Sequence, residues 1–310
     1  MTKIIPLLRF KFIRLLERIC RPDTLYRLLL PLAVLRAAFK KSTAPQRLPA
    51  PVGRGMVAPG NAKSQAGYRQ NAVLTFFPDR LRNPAWLSRC SFSGIDRLQD
   101  CQRRGQPVIL ATAHFGPVFL LSRWLQAAGI RSATLVSGRT DERSYLNRLK
   151  DRATLFPEIP RVFFPHQLRE LTKFLAAGNV LVIAIDSPRG NQIKVPLDAR
   201  HHFRLATGPI RLAARHGARL FPCTILDEGR WRFRFELGHP VPAEFLSDPS
   251  DLASAGNFLA SELLPCFAAQ PEQCSKMVLA CFETAGTGSA PGIKPDETAL
   301  LTSAPGNHEP

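Results

Sequence analysis

Acidic residues are scarce in this 310-residue sequence: 24 Asp and Glu stand against 42 Lys and Arg, a net charge of +18. The excess is spread along the chain, so the surface attracts polyanions: nucleic acid, anionic lipid headgroups or an acidic carrier protein. Paired cysteines are also lacking. Cys20, Cys90, Cys101, Cys223, Cys266, Cys274 and Cys281 include no C-x-x-C pair. That argues against a zinc framework or a disulfide scaffold and for reduced, small apolar residues in a cytosolic compartment. Long hydrophobic runs are missing too. The longest uncharged N-terminal stretch, LLLPLAVL at 28–35, falls far short of the ~20 residues a spanning helix needs. Charges at Arg9, Lys11, Arg14, Glu17, Arg18 and Arg21 interrupt the first apolar segment, and with no small-residue cleavage site after it no secretory signal is expected.

What is present suffices for one sizeable folded domain, because 45% of the residues are apolar, which excludes disorder throughout. In residues 4–19 the pattern IIPLLRFKFIRLLERI, with Arg21 after it, sets Lys11, Arg14, Arg18 and Arg21 on one stripe of a helix and Leu8, Phe12, Leu15, Leu16 and Ile19 on the rest. A basic amphipathic helix of this kind suits an anionic lipid surface, and its plainer alternative is a helix packed on the domain with a solvated basic side. A second apolar helix is expected over 25–39. Residues 1–41 are therefore read as basic amphipathic, membrane-associating helices and 42–70, rich in Pro, Gly, Ala and Ser, as a linker. Residues 71–284 then form the α/β domain and 285–310 a disordered tail.

Inside that domain short apolar runs alternate with helical patterns. Strands are expected over 107–113, 133–137, 161–164, 180–186, 218–226 and 231–237, and helices over 117–128, 166–177 and 206–216. Such alternation predicts a mostly parallel central sheet flanked by helices. In open α/β sheets the ligand lies beyond the carboxyl ends of the strands, so His114 and Asp186, each closing a strand, become candidate catalytic residues. The helix expected from Pro117 would disfavour the imidazolium and keep His114 neutral, as a general base requires. A structural histidine is the alternative for His114, and a helix cap or loop brace for Asp186. Arg189, Lys194, Arg200 and Arg204, with His201 and His202, crowd a short segment read as a basic loop. Arginine forks there suit phosphate or carboxylate, and an ordinary solvated loop is the alternative. Beside these basic residues there is no aromatic stacking platform, zinc module or recognition-helix pattern, so nucleic acid is not the expected partner.

The stretches VILATAHFGPVFLL, AAGNVLVIAID and HHFRLATGPIRLAARHGARLFPCTI, in that order and with the ending PEQCSKMVLACF, resemble the lauroyl and myristoyl acyltransferases of lipid A biosynthesis, a branch of the lysophospholipid acyltransferase superfamily. The resemblance spans about residues 71–282 and implies a glycerolipid acyltransferase-like fold with amphipathic helices before it. It further implies transfer of a fatty-acyl group from an acyl thioester, on acyl carrier protein or CoA, to a hydroxyl of a glycolipid or saccharide at the cytoplasmic face of the inner membrane. No metal or cofactor is implied. Arg139, Arg189, Arg200 and Arg204 become expected substrate-binding residues. In that family a His-x4-Asp/Glu pair acts, the acid orienting the histidine. His114 matches the histidine, but Phe119 stands at the acid's position. Asp186 then becomes the expected replacement, and a catalytically silent relative that binds anionic lipid or polysaccharide is the alternative function.

Overall fold

The computed structural model describes residues 16, 19–38, 84–136, 161–187, 190–248 and 251–284. Nine α-helices are described: α1 (Pro22–Ala38), α2 (Pro84–Leu87), α3 (Ile95–Arg103), α4 (Leu121–Ala127), α5 (Leu168–Ala176), α6 (Gly208–His216), α7 (Glu244–Ser247), α8 (Leu252–Ala269) and α9 (Lys276–Leu279). The strands are β1 (Cys90–Ser93), β2 (Val108–Thr112), β3 (Ser132–Leu135), β4 (Arg161–Phe163), β5 (Val180–Ala184), β6 (Gln192–Pro196), β7 (His201–Ala206), β8 (Arg219–Gly229), β9 (Arg232–Leu237) and β10 (Phe282–Thr284).

A seven-stranded sheet runs β1-β9-β8-β2-β5-β3-β4. Every pairing in it is parallel except β8 with β9. The central strands β2 (VILAT) and β5 (VLVIA) have no polar alternation because helices cover both faces of the sheet. Alternate residues separate two apolar layers. Ile109, Ala111, Leu181 and Ile183 pack with α5, α6 and α8, whereas Val108, Leu110, Val180 and Val182 pack with α3, α4 and Leu25 of α1. The fold is thus α/β with a mostly parallel sheet between helices, as the alternation in the sequence predicts.

Several local expectations are corrected. The basic loop is a β-hairpin: β6 and β7 pair antiparallel, and β10 adds to β7, giving a second sheet of order β10-β7-β6. Within HHFRLA, Phe203 and Leu205 are buried and His202 and Arg204 less so, a period of two that the density of charge conceals. Ala206 consequently ends a strand, and α6 begins only at Gly208. The helix expected from Pro117 opens as a 3-10 turn over Val118–Leu120 before α4 starts at Leu121. The sequence reading assigns nothing over 90–103 or 252–269, where β1, α3 and α8 lie. Most of the first expected helix, the linker over 42–70 and the tail from 285 lie outside the described residues.

Among the described residues one helix, α8, is long and apolar enough to cross a membrane. Its Leu252, Ala255, Leu259, Leu263 and Phe267 are buried against the core, so it is a core helix here. Asp251 caps its start by accepting from the amides of Ala253 and Ser254. The second expected helix is α1, and it docks at the β8–β9 turn. Arg230 and Trp231 there both adopt left-handed φ angles, 49° and 59°, a strain of ~1–2 kcal/mol per residue. Trp231 is nevertheless fully buried, edge-on to Tyr26 at 5.3 Å, and Arg89 links the turn to α1 by donating to the Arg230 carbonyl and pairing with Asp23. Burial of the indole offsets the strain.

Phe267 lies between Phe115 and Phe203, with ring centroids at 4.9 and 6.2 Å. Truncation to alanine is expected to cost ~3–5 kcal/mol, read as a lowered urea midpoint with an unchanged slope.

Candidate functional site

His114 follows β2 by two residues and Asp186 follows β5 by two, and β2 and β5 are hydrogen-bonded neighbours in parallel register. The topology therefore delivers both side chains to one edge of the sheet, 72 positions apart in sequence. The Asp186 carboxylate grips the histidine twice. Its Oδ2 accepts the His114 backbone N–H at 3.0 Å, and its Oδ1 lies 2.8 Å from Nδ1. Asp186 is only 1% exposed, whereas the His114 side chain keeps 41% of its surface open to solvent. A buried carboxylate needs such partners, since an unpaired charge in the interior is strongly disfavoured.

The turn after His114 is fixed from the other side by the C-terminal segment. The Ser275 amide donates to the His114 carbonyl at 3.1 Å, the Gly116 amide donates to the Gln273 carbonyl at 3.0 Å, and Phe115 forms an antiparallel bridge with Cys274. Gln273 itself is tied to β8: its Oε1 accepts from the Asp227 amide and its Nε2 donates to the Asp227 carbonyl, both at 2.9 Å. Gly116 has a φ of 55°, and a Cβ there would run into the Ile225 carbonyl oxygen, so only glycine fits this crossing. Sequence reasoning missed Gln273 and Ser275. Their signal lay in the PEQCS stretch, where Pro271 opens a 3-10 turn and Ser275 caps α9.

The electrostatics of His114 are set by Asp186 and not by the helix N-terminus expected to disfavour its charged form. A single 3-10 turn follows the residue, and the hydrogen bond to the Asp186 carboxylate, opposed by burial and supported by that carboxylate's charge, raises the histidine above its ordinary 6.5. With Nδ1 held by the carboxylate, the other ring nitrogen, Nε2, is the one available to a substrate, and it is made more basic. The cysteines near the site have no comparable activation. Burial pushes the thiols of Cys223 and Cys281 up to about 12, so both stay protonated and inert.

The four expected substrate-binding arginines fare differently. Arg139 and Arg189 lie outside the described residues. Arg204 stands on β7, its Nε 2.9 Å from Glu283 and its guanidinium donating to the Ala280 carbonyl at 3.0 Å and to Gln192 Oε1 at 3.3 Å. Gln192 in turn donates to the Ser187 carbonyl at 2.7 Å, which ties this end of the hairpin to the residue after Asp186. Arg200 sits at the hairpin's far end, six residues or ~20 Å of extended chain from Ala206. The structure thus brings His114 and Asp186 together, sets Arg204 near them and leaves Arg200 apart.

A family model settles the kinship. Residues 68–275 match that of the bacterial lipid A biosynthesis acyltransferases. The chain belongs to that family. No curated protein matches it. Membership makes acyl transfer in lipid A synthesis the family chemistry, with acyl donors and lipid A-type acceptors in general. In this member the matched region contains the whole seven-stranded sheet, His114, Asp186 and Ser275 of the bracing segment.

Two outcomes follow. Gly116→Ala is expected to displace the His114 turn and reduce acyl transfer at least about tenfold while the far-ultraviolet circular dichroism stays native. Because the folded-state pKa of His114 is raised, its pairing with Asp186 stabilises the fold fully below about 6.5 and loses that contribution as pH rises through the higher folded value. The stability advantage of the native protein over Asp186→Asn, measured by urea unfolding, is expected to be larger at pH 6 than at pH 9.

Proposed function

We propose that this protein moves a fatty-acyl group from an acyl thioester to a hydroxyl of a lipid A-like glycolipid or saccharide, with His114 as general base and Asp186 as its orienting acid. The carrying observation is the 2.8 Å contact between Nδ1 and a carboxylate that the sheet buries completely. Neutral His114 donates from Nδ1 to Asp186 and presents the lone pair of Nε2. That nitrogen takes the proton of the acceptor hydroxyl as its oxygen attacks the thioester carbonyl. When the tetrahedral intermediate collapses, the C–S bond breaks and the imidazolium returns the proton to the departing thiolate sulfur. An ester and a free thiol result, and the base is regenerated. Asp186 holds the tautomer and stabilises the imidazolium, the part whose loss in a serine-protease triad costs ~10⁴ in turnover.

Phe119 at the family's acid position argues for a silent homologue, but the His114–Asp186 couple supplies what that position would otherwise provide. The acceptor's anionic groups are read as meeting Arg204 and, three residues after Asp186 in sequence, Arg189, with Arg139 as a further contact. The donor is acyl carrier protein or acyl-CoA. The site of action is the cytoplasmic face of the inner membrane, which the protein joins peripherally through residues 1–41. Ile19 and Leu28 support this, being 71% and 52% exposed beside exposed Arg21 and Arg27.

The test is transfer of a labelled acyl chain to a lipid extract. His114→Ala is expected to lower turnover by ~10²–10⁴-fold, and Phe119→Asp to leave it within about twofold of native, since the orienting group is already present. Native turnover in His114→Ala would end the base assignment, and a large gain in Phe119→Asp would show that Asp186 does not orient the ring. Removing residues 1–40 is expected to release the protein from anionic vesicles, and unchanged sedimentation would refute the anchoring role.

A further inference from the structure

The two helix layers of the main sheet carry different surfaces. The layer holding α1 displays Ile19 and Leu28 with Arg21 and Arg27, the mixture of apolar protrusion and cation that a lipid surface accepts. The opposite layer holds α5 and α6, which touch each other. α5 exposes Arg169 and Lys173, and α6 exposes Arg211 and Arg215. Each pair is spaced i,i+4, so its members lie one turn apart on a single helix face. α5 leads into β5 and α6 into β8, and these strands run parallel in the sheet. The two helices therefore run in the same direction, and their first turns, with Arg169 and Arg211, lie at the sheet edge that carries His114 and Asp186. The result is a two-by-two array of cations. No side chain of the four makes a hydrogen bond or ion pair among the described residues. Glu170 is the one acid on these two helices, and a second exposed acid, Glu244, stands on α7, which packs on α6. Like charges at i,i+4 oppose helix formation by a few tenths of a kcal/mol, so nothing in the fold calls for this arrangement. Leu168 is the one large apolar side chain exposed on these two helices, too little for insertion into a bilayer. The array also faces away from the layer that carries α1.

We infer that the α5–α6 face docks a soluble acidic protein, the carrier that delivers the acyl thioester. This rests on the carrier-borne donor proposed above. A membrane at the α1 layer and a carrier at the α5–α6 layer can engage together, because the sheet lies between them and both layers reach the edge where His114 stands. A face of this kind acts through charge, so it speeds encounter and weakens with salt.

The experiment measures binding of lauroyl-loaded acyl carrier protein to the full-length protein by fluorescence anisotropy at two salt concentrations. It is paired with transfer rates from the carrier and from lauroyl-pantetheine, a small donor without acidic groups. Arg169→Glu/Arg211→Glu is expected to weaken carrier binding at least about tenfold and to flatten its salt dependence, while turnover from lauroyl-pantetheine and binding to phosphatidylglycerol vesicles stay native. Arg169→Lys/Arg211→Lys is expected to retain binding. Arg104→Glu/Arg131→Glu, the same change of net charge at other exposed sites, is expected to have little effect. Unchanged carrier affinity in the first pair, an equal loss in the control pair, or loss of vesicle binding with carrier binding intact would each overturn the inference. Transfer from lauroyl-pantetheine without any carrier binding would overturn it and leave His114-dependent acylation standing. Carrier binding through this face without transfer from either donor would instead overturn the proposed function alone.

Discussion

One buried carboxylate organises the site. Asp186 is sealed at the end of a central strand, and its two oxygens are occupied by the amide and the ring of a single residue, His114. In a low-dielectric setting such a charge is tolerated only with partners of good geometry, so the fold's tolerance of Asp186 and the orientation of His114 are one constraint seen from two sides. The neighbouring parallel strands β2 and β5 set the distance. The turn through Gly116 and the strap through Gln273 and Ser275 keep the backbone from drifting away from it.

The same strands explain how the two proposed docking faces, for membrane and carrier, can serve a single site. A parallel sheet covered on both sides must place its strand ends, and hence any chemistry there, at an edge reached from either layer. α1 is pinned to one layer by Tyr26 and Trp231, and α5 and α6 cover the other. A reaction that joins a water-borne donor to a lipid-borne acceptor needs an edge of this kind, open to both sides and walled by side chains that do not react. Cys223 and Cys281, with thiols held protonated by burial, meet that second requirement.

Much of this was legible in the sequence. The continuous apolar runs VILAT and VLVIA announced buried parallel strands, and the positions of His114 and Asp186 just beyond them announced one crevice. The hairpin β6–β7 was hidden because lysine, arginine and histidine dominate its outward positions and mask the alternation of Val195, Phe203 and Leu205 within. The electrostatic environment of His114 was misjudged because the hydrogen bond to Asp186 dominates it, whereas the Gly-Pro pair that reads as a helix start opens only a 3-10 turn. The strap was invisible for a different reason. Gln273 acts through backbone groups of Asp227 and Gly116, 46 and more positions away, and no local pattern encodes such a contact. α8 lacks a sharp apolar stripe because apolar and small residues such as Ala253, Phe258, Leu264 and Ala269 also stand off its buried face.

The account stands or falls on whether Asp186 governs the ring of His114. The direct measurement is the NMR titration of the His114 imidazole in the native protein and in Asp186→Asn. The account predicts a native pKa above the ordinary 6.5 and, with the carboxylate neutralised and burial left unopposed, a clearly lower value in the variant. The same pKa in both proteins would contradict it.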